Sequence, residues 1–298
     1  MIKALCSPRD IECMGSRWPG SQRIGLRKVG SQAFQRLRQG IHPIDRSAPG
    51  GRLPDFLGLG VQKGGTTTLQ KLLEQHPGAF LPAAKELHYF TLRFAEGEAW
   101  YREQFAPAVP AQCCGEITPY YVFHPEAPTR VHALLPRAKL IVLLRDPVSR
   151  ALSQYFHSRR LGLESLPLEQ ALAAESERLR GAPACLRAKD ARHQSHQEHS
   201  YLSRSRYEQQ LPAWQALYPA EQLLVLRSED LFEQPALVWE RVLKFLDLPV
   251  IPLPALTAPA NAGRGEAASV VPDLRQSLRD RLQPTYAWVS ERHGLEWS

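Results

Sequence analysis

The chain has 298 residues, 43% hydrophobic and 22% charged, ordinary values for a globular protein with ample core. Its net charge of +7 is uneven: residues 1–50 hold nine Lys/Arg against three Asp/Glu, and the rest holds 28 against 27. That balance gives no support to a nucleic-acid-binding domain, the absence of a long apolar run excludes a transmembrane helix, and five irregularly spaced cysteines form no metal pattern.

Residues 1–52 read as a basic, disordered arm closing in the linker-like Ser47-Ala48-Pro49-Gly50-Gly51. The arm lacks the apolar stretch of a secretory signal, and the cysteines suit free thiols in a reducing compartment, so a cytoplasmic location is expected. Residues 53–298 then form a single domain. Phe56-Leu57-Gly58-Leu59-Gly60-Val61 is a short apolar strand ending in a Gly-rich turn, and a helix follows through Leu69, Leu72 and Leu73. Lys139 to Leu144 is a nearly continuous apolar run, as in a strand buried on both faces. Arg145-Asp146-Pro147 turns the chain into a helix through Ala151, Leu152 and Tyr155. Residues 160–206 are polar and rich in His and Arg, and they read as a lid or substrate-side insertion. Within them His193, His196 and His199 lack a completing carboxylate or cysteine, so a solvated or substrate-facing role is expected and no metal site. A third buried strand, Gln222 to Leu226, precedes a helix over 237–246. Alternating strands and helices give an α/β class: a P-loop-like doubly wound parallel sheet flanked by helices, with ligands beyond the carboxyl ends of the strands.

The first turn carries the most information. Gly60-Val61-Gln62-Lys63-Gly64-Gly65-Thr66-Thr67-Thr68 joins a strand to a helix. Its glycines let backbone N–H groups curl toward an anion, the helix N-terminus adds partial positive charge, and the threonines offer hydroxyls and a cap. The glycine spacing suits a Walker A loop, but Thr66 stands where a nucleotide triphosphatase needs lysine, and the lysine sits inside the loop as Lys63.

Lys63-Gly64-Gly65-Thr66-Thr67 after a strand resembles the 5′-phosphosulfate loop of sulfotransferases that use 3′-phosphoadenosine 5′-phosphosulfate (PAPS), especially the heparan sulfate-like branch. The resemblance implies that Lys63 contacts the phosphosulfate bridge and that Gly64, Gly65, Thr66, Thr67 and Thr68 hold the 5′-phosphate. A second element agrees: Arg145 at a strand end is followed by Ser153, the spacing of the family's 3′-phosphate site, and guanidinium suits a phosphate as a planar fork. Lys85-Glu86-Leu87-His88-Tyr89-Phe90 resembles the family segment that supplies the base. The resemblance makes Glu86 the general base and His88 its support. In extended chain the two would face one side.

Gly115-Glu116-Ile117-Thr118-Pro119-Tyr120-Tyr121 resembles the element lining the acceptor cleft, with Ile117 where heparan-type enzymes often place lysine. Tyr120 and Tyr121 are expected to contact the acceptor by stacking on a sugar ring. Ser205 to Trp214 and Leu224 to Leu231 resemble structural parts of the family's C-terminal half. Ala262-Gly263-Arg264-Gly265 resembles the loop over the 3′-phosphate, making Arg264 a cofactor contact. The implied reaction is metal-independent in-line transfer of a sulfuryl group from PAPS, leaving adenosine 3′,5′-bisphosphate (PAP), to a hydroxyl or amine of a saccharide or small metabolite. Two other readings stay open: an ATP-dependent small-molecule kinase, and a non-catalytic nucleotide- or glycan-binding module.

Overall fold

A computed structural model describes residues 51–189, 191–255 and 265–297, all within a unit running from Ser47 to Ser298. The three apolar runs become strands β1 (Phe56–Gly60), β4 (Lys139–Leu144) and β5 (Leu223–Arg227), and two strands not expected from the sequence, β2 (Ala79–Phe80) and β3 (Cys113–Ile117), join them. They form one parallel sheet in the order β2-β3-β1-β4-β5. Between and after them lie α1 (Thr66–Glu74), α2 (Gly97–Glu103), α3 (Ala127–Leu134), α4 (Pro147–Arg160), α5 (Leu168–Arg178) and α6 (Ala182–Cys185). The remainder of the described helices are α7 (Gln194–Glu198), α8 (Leu211–Gln215), α9 (Asp230–Glu233), α10 (Pro235–Phe245), α11 (Pro272–Arg281) and α12 (Gln283–His293). None of the described helices is long and apolar enough to cross a membrane.

Both faces of the sheet are covered, so every residue of β1, and all of β4 past Lys139, is buried. Ile141 and Leu143 of β4 pack into one apolar layer with Leu69, Leu72 and Trp239. Leu140, Val142 and Leu144 turn the other way, toward Tyr101, Leu152 and Trp214. This alternation is the strand's period of two, and burying each such side chain contributes roughly 1.5–3 kcal/mol. Gly115 of β3 marks a close approach, since a Cβ there would lie 2.3 Å from the Phe56 ring. We expect Gly115→Ala to destabilise the protein by about 1–3 kcal/mol through overpacking. A urea unfolding curve checks this, and an unchanged midpoint would contradict it.

Residues 1–50 of the expected arm lie outside the described residues. Its last residue, Arg52, is 5% exposed and donates to Gln112 O at 2.8 Å while pairing with Asp55, so it belongs to the folded unit. The segment 160–206 is more than a lid. Ala171, Leu172, Tyr201 and Leu202 join the core, and its polarity is turned inward. The Glu175 carboxylate accepts from Leu202 N and Ser203 N, both at 2.7 Å. Buried Glu164 accepts from Arg178 Nη1 at 2.6 Å and the Tyr201 hydroxyl at 2.8 Å. The three histidines diverge. His193 caps α7 by accepting from His196 N, and His199 meets Ser195 Oγ. His196 is buried, stacked on Phe123 at 4.1 Å, with Nδ1 2.7 Å from the Tyr120 hydroxyl, so it is neither solvated nor substrate-facing.

Candidate active site

The turn between β1 and α1 lies at the carboxyl end of β1, beside the end of β4. Gly64 makes that approach possible, because a Cβ there would lie 2.6 Å from Leu143 O. Gly65, at φ 85, caps α1 without a side-chain bond, so the cap expected of a threonine is a glycine instead. Thr66, Thr67 and Thr68 occupy the first turn of α1 and line a cavity of about 720 Å³. Arg145, just past β4, reaches across and donates from Nη1 to Lys63 O at 3.0 Å. Its own carbonyl accepts from the Tyr207 hydroxyl at 2.8 Å, which gives the structural C-terminal segment a hold on the site. Asp146 caps α4 by accepting from Ser149 N at 2.7 Å. That fixes the helix face bearing Ser149, Ser153, Phe156, His157 and Arg160, all of which line the same cavity.

Cations outnumber carboxylates in the lining of this cavity. Lys63, Lys85, Arg145, Arg160 and Arg275 line it, against Glu86, Glu229 and Glu266. Burial, with Arg160, Arg145 and Lys85 adding like charge, pulls the Lys63 ammonium down to about 8. Arg160 is held by Glu266 at 2.9 Å, and Lys85 donates to Thr67 Oγ1. Together with a helix N-terminus these groups suit a phosphate-rich ligand.

Glu86 and His88 do not lie in extended chain. Both have left-handed backbones, φ 57 and 55, and so does Lys63 at 71. Among the described residues only one other non-glycine, Asp247, has positive φ. Each such residue costs of order 1–3 kcal/mol and persists where its surroundings overdetermine it. The surroundings here are visible: Thr91 N and Oγ1 both donate to His88 O, at 3.1 and 3.2 Å. His88 N donates to Thr118 Oγ1 at 3.3 Å, and that hydroxyl donates to buried Glu116 at 2.6 Å. The curled chain still brings the pair together, with His88 Nε2 3.6 Å from Glu86 Oε2 and Lys85 Nζ 3.4 Å from Glu86 Oε1. Burial pushes the Glu86 carboxyl up, but His88 and Lys85 outweigh it and hold it below the usual carboxylate range.

A second cavity, of about 210 Å³, adjoins the first. Gln62, Glu86, Pro119 and His157 line both, so Glu86 stands on their common wall. His88 and Tyr120 line the smaller cavity only. Tyr121 does not take part: it is fully buried and its hydroxyl donates to Glu116, so it has no ring face for a sugar. Tyr120 is 4% exposed with Arg204 over its ring, which leaves it a wall residue rather than a stacking platform. Ile117 is buried in the apolar layer. Arg264 lies outside the described residues, although its neighbour Gly265 lines the larger cavity. Among the described residues no group of three metal-ligating side chains occurs.

Sequence reading missed Lys85, His157, Arg160 and Arg275. Lys85 stood next to Glu86, and His157 and Arg160 follow Ser153 at steps of four and seven, one face of a helix, so a signal for three of them was present.

A family model described as "Sulfotransferase domain" matches residues 53–256. The heparan sulfate glucosamine 3-O-sulfotransferase 6 of Homo sapiens is 35% identical over 206 residues, covering 68% of this chain and 55% of its own length. A membrane-associated sulfotransferase of Dictyostelium discoideum is 29% identical over 265 residues, covering 66% of this chain and 56% of its own. The chain thus spans about half the length of the curated relatives it matches. Among solved structures, a sulfotransferase from Alicyclobacillus acidocaldarius superposes with a TM-score of 0.67 at 25% identity, covering 82% of this chain and 97% of that one.

Proposed function

Since this chain belongs to the sulfotransferase family, we propose that it transfers a sulfuryl group from PAPS to a hydroxyl or amine of a saccharide or small metabolite, in the cytoplasm and without a metal. The observation that carries the reading is the position of Glu86, on the wall shared by a cation-lined cavity and a smaller, cation-poor one. A donor anion and an acceptor then meet at a carboxylate.

The residues fit the donor. Burial, and after it the like charges of Arg160, Arg145 and Lys85, depress the Lys63 ammonium, and an anion with two phosphate groups would offset that charge. Lys63, Gly64, Gly65 and Thr66 to Thr68 would hold the 5′ end, and Arg145 with Ser153 the 3′-phosphate. When bound, PAPS supplies an activated sulfuryl group whose sulfur–oxygen bond to phosphate breaks as the bond to the acceptor forms. Glu86, kept ionised by His88 and Lys85, takes the acceptor's proton. His88 holds the carboxylate oriented, and Lys63 supplies the positive charge facing the departing phosphate oxygen, which is electrostatic preorganisation.

Thermal stability measured with PAP, and separately with ATP and magnesium, tests the reading. PAP at 100 times its dissociation constant should stabilise by about 2.7 kcal/mol, with or without magnesium. A shift only with ATP and magnesium would support the kinase instead. Affinity carries a further signature. An anion among these cations favours protonated Lys63, so binding takes up a proton above the free-state value of about 8. PAP affinity should therefore fall as pH rises past about 8, by up to about tenfold per unit. Calorimetric titration across that range shows it, and constant affinity would contradict it.

A further inference from the structure

The smaller cavity has a composition unlike that of the larger one. Glu86 and Glu198 bring carboxylates, and Leu92, Leu161 and Leu163 bring apolar surface. Leu161 is 58% and Leu163 41% exposed, large apolar side chains left uncovered at the site. Among the described residues lining this cavity the only Lys or Arg is Arg204.

Arg204 is not available to an anion. It is 5% exposed, and every guanidinium nitrogen has a partner in the wall. Nε donates to Ser200 Oγ at 2.8 Å, and Nη1 to Gln62 Oε1 at 2.9 Å. Nη2 donates to the carbonyls of His196 and Gln197, at 3.0 and 2.8 Å. Its planar faces meet Tyr120 and Phe123, at 4.8 and 5.1 Å from the ring centroids. The charge therefore serves to tie the phosphate loop, through Gln62, to the segment that walls the smaller cavity. The strong cations of the site line the other cavity. Beyond Leu92, Arg130 and Lys189 lie over the Phe94 ring and Arg93 over Trp100, turned onto aromatic faces.

Resting on the sulfuryl-transfer reading above, we infer that the acceptor is an uncharged alcohol carried on an alkyl or aryl body, and not a polyanionic glycan. A sulfate or uronate entering here meets two carboxylates and, among the described residues lining the cavity, no Lys or Arg left to pair with it, a like-charge arrangement that selects against it. An alkyl or aryl group beside the reacting hydroxyl buries the exposed leucines. At 210 Å³ the cavity takes one ring or a short chain, with the remainder of the molecule outside it. The acceptor of this chain then differs in class from the one named for its heparan sulfate relatives.

The test supplies the full chain with saturating PAPS and compares hexyl glucoside, phenyl glucoside and a heparan sulfate oligosaccharide as acceptors. The uncharged glucosides should exceed the oligosaccharide in kcat/KM by at least about tenfold. Glu198→Lys should raise the ratio of oligosaccharide to glucoside turnover by about tenfold, and Leu163→Ser should lower turnover of hexyl glucoside more than that of unsubstituted glucose. Equal or better use of the oligosaccharide by the unaltered protein, or an unchanged ratio in Glu198→Lys, would overturn the inference. Transfer to none of these, with PAP still stabilising the protein, overturns the acceptor class alone. Transfer to none, with no stabilisation by PAP, removes the donor reading beneath it.

Discussion

Replacing Glu86 with glutamine should lower kcat by about 10²–10⁴-fold while PAP binding changes by less than about threefold. The amide keeps the shape and the hydrogen-bonding reach of the carboxylate but cannot accept the acceptor's proton. The surrounding turn does not depend on that charge. It is held by the Thr91 bonds to His88 O and by Thr118 on His88 N. A fall in kcat with KM for PAPS nearly unchanged would mark the loss of a proton acceptor and not of a fold. Steady-state kinetics with PAPS and any accepted alcohol reads both constants. Full activity in Glu86→Gln would move the base elsewhere, and His157, which lines both cavities, would be the next group to examine.

Lys63→Met should cost about 10²–10³-fold in kcat, the range seen when one preorganised group facing developing charge is removed. Methionine keeps an unbranched apolar stem one atom shorter than lysine, so the left-handed backbone at φ 71 stays occupied by an unbranched side chain. The variant should also lose the fall in PAP affinity above about pH 8, since the proton responsible is on the Lys63 ammonium. The two readouts check each other. A variant that lost activity but kept the pH dependence would assign that proton to another group.

The strand–turn–helix around Lys63 was legible because its information is local: a strand, a glycine-rich turn, a lysine and a helix start all lie within a dozen residues. That Arg145 and Ser153 share a cavity wall was legible for a related reason, as a strand end and the helix that follows it carry them. The Glu86–His88 contact was anticipated by the wrong geometry. Alternation in extended chain suggested a shared face, while the observed pair meets through two left-handed residues that neither propensity nor periodicity favours. What stayed hidden depends on tertiary contact. Tyr121 looked like an acceptor residue beside Tyr120, yet a one-residue step on the turn sends it into the core against Glu116. The segment 160–206 reads from its polarity as a lid or substrate-side insertion, whereas Glu164 and Glu175 satisfy its donors internally. Arg204 likewise gave no sign that its charge would be spent on the wall of the site.

The most direct measurement follows release of PAP from PAPS by the purified full chain, with and without an alcohol acceptor, in the presence of a metal chelator. We expect acceptor-dependent PAP release, unaffected by the chelator and lost in Glu86→Gln. Binding of PAP with no acceptor-dependent release would indicate a module that holds the nucleotide without turning it over. Release that the chelator abolishes, or that Glu86→Gln leaves intact, would contradict the mechanism.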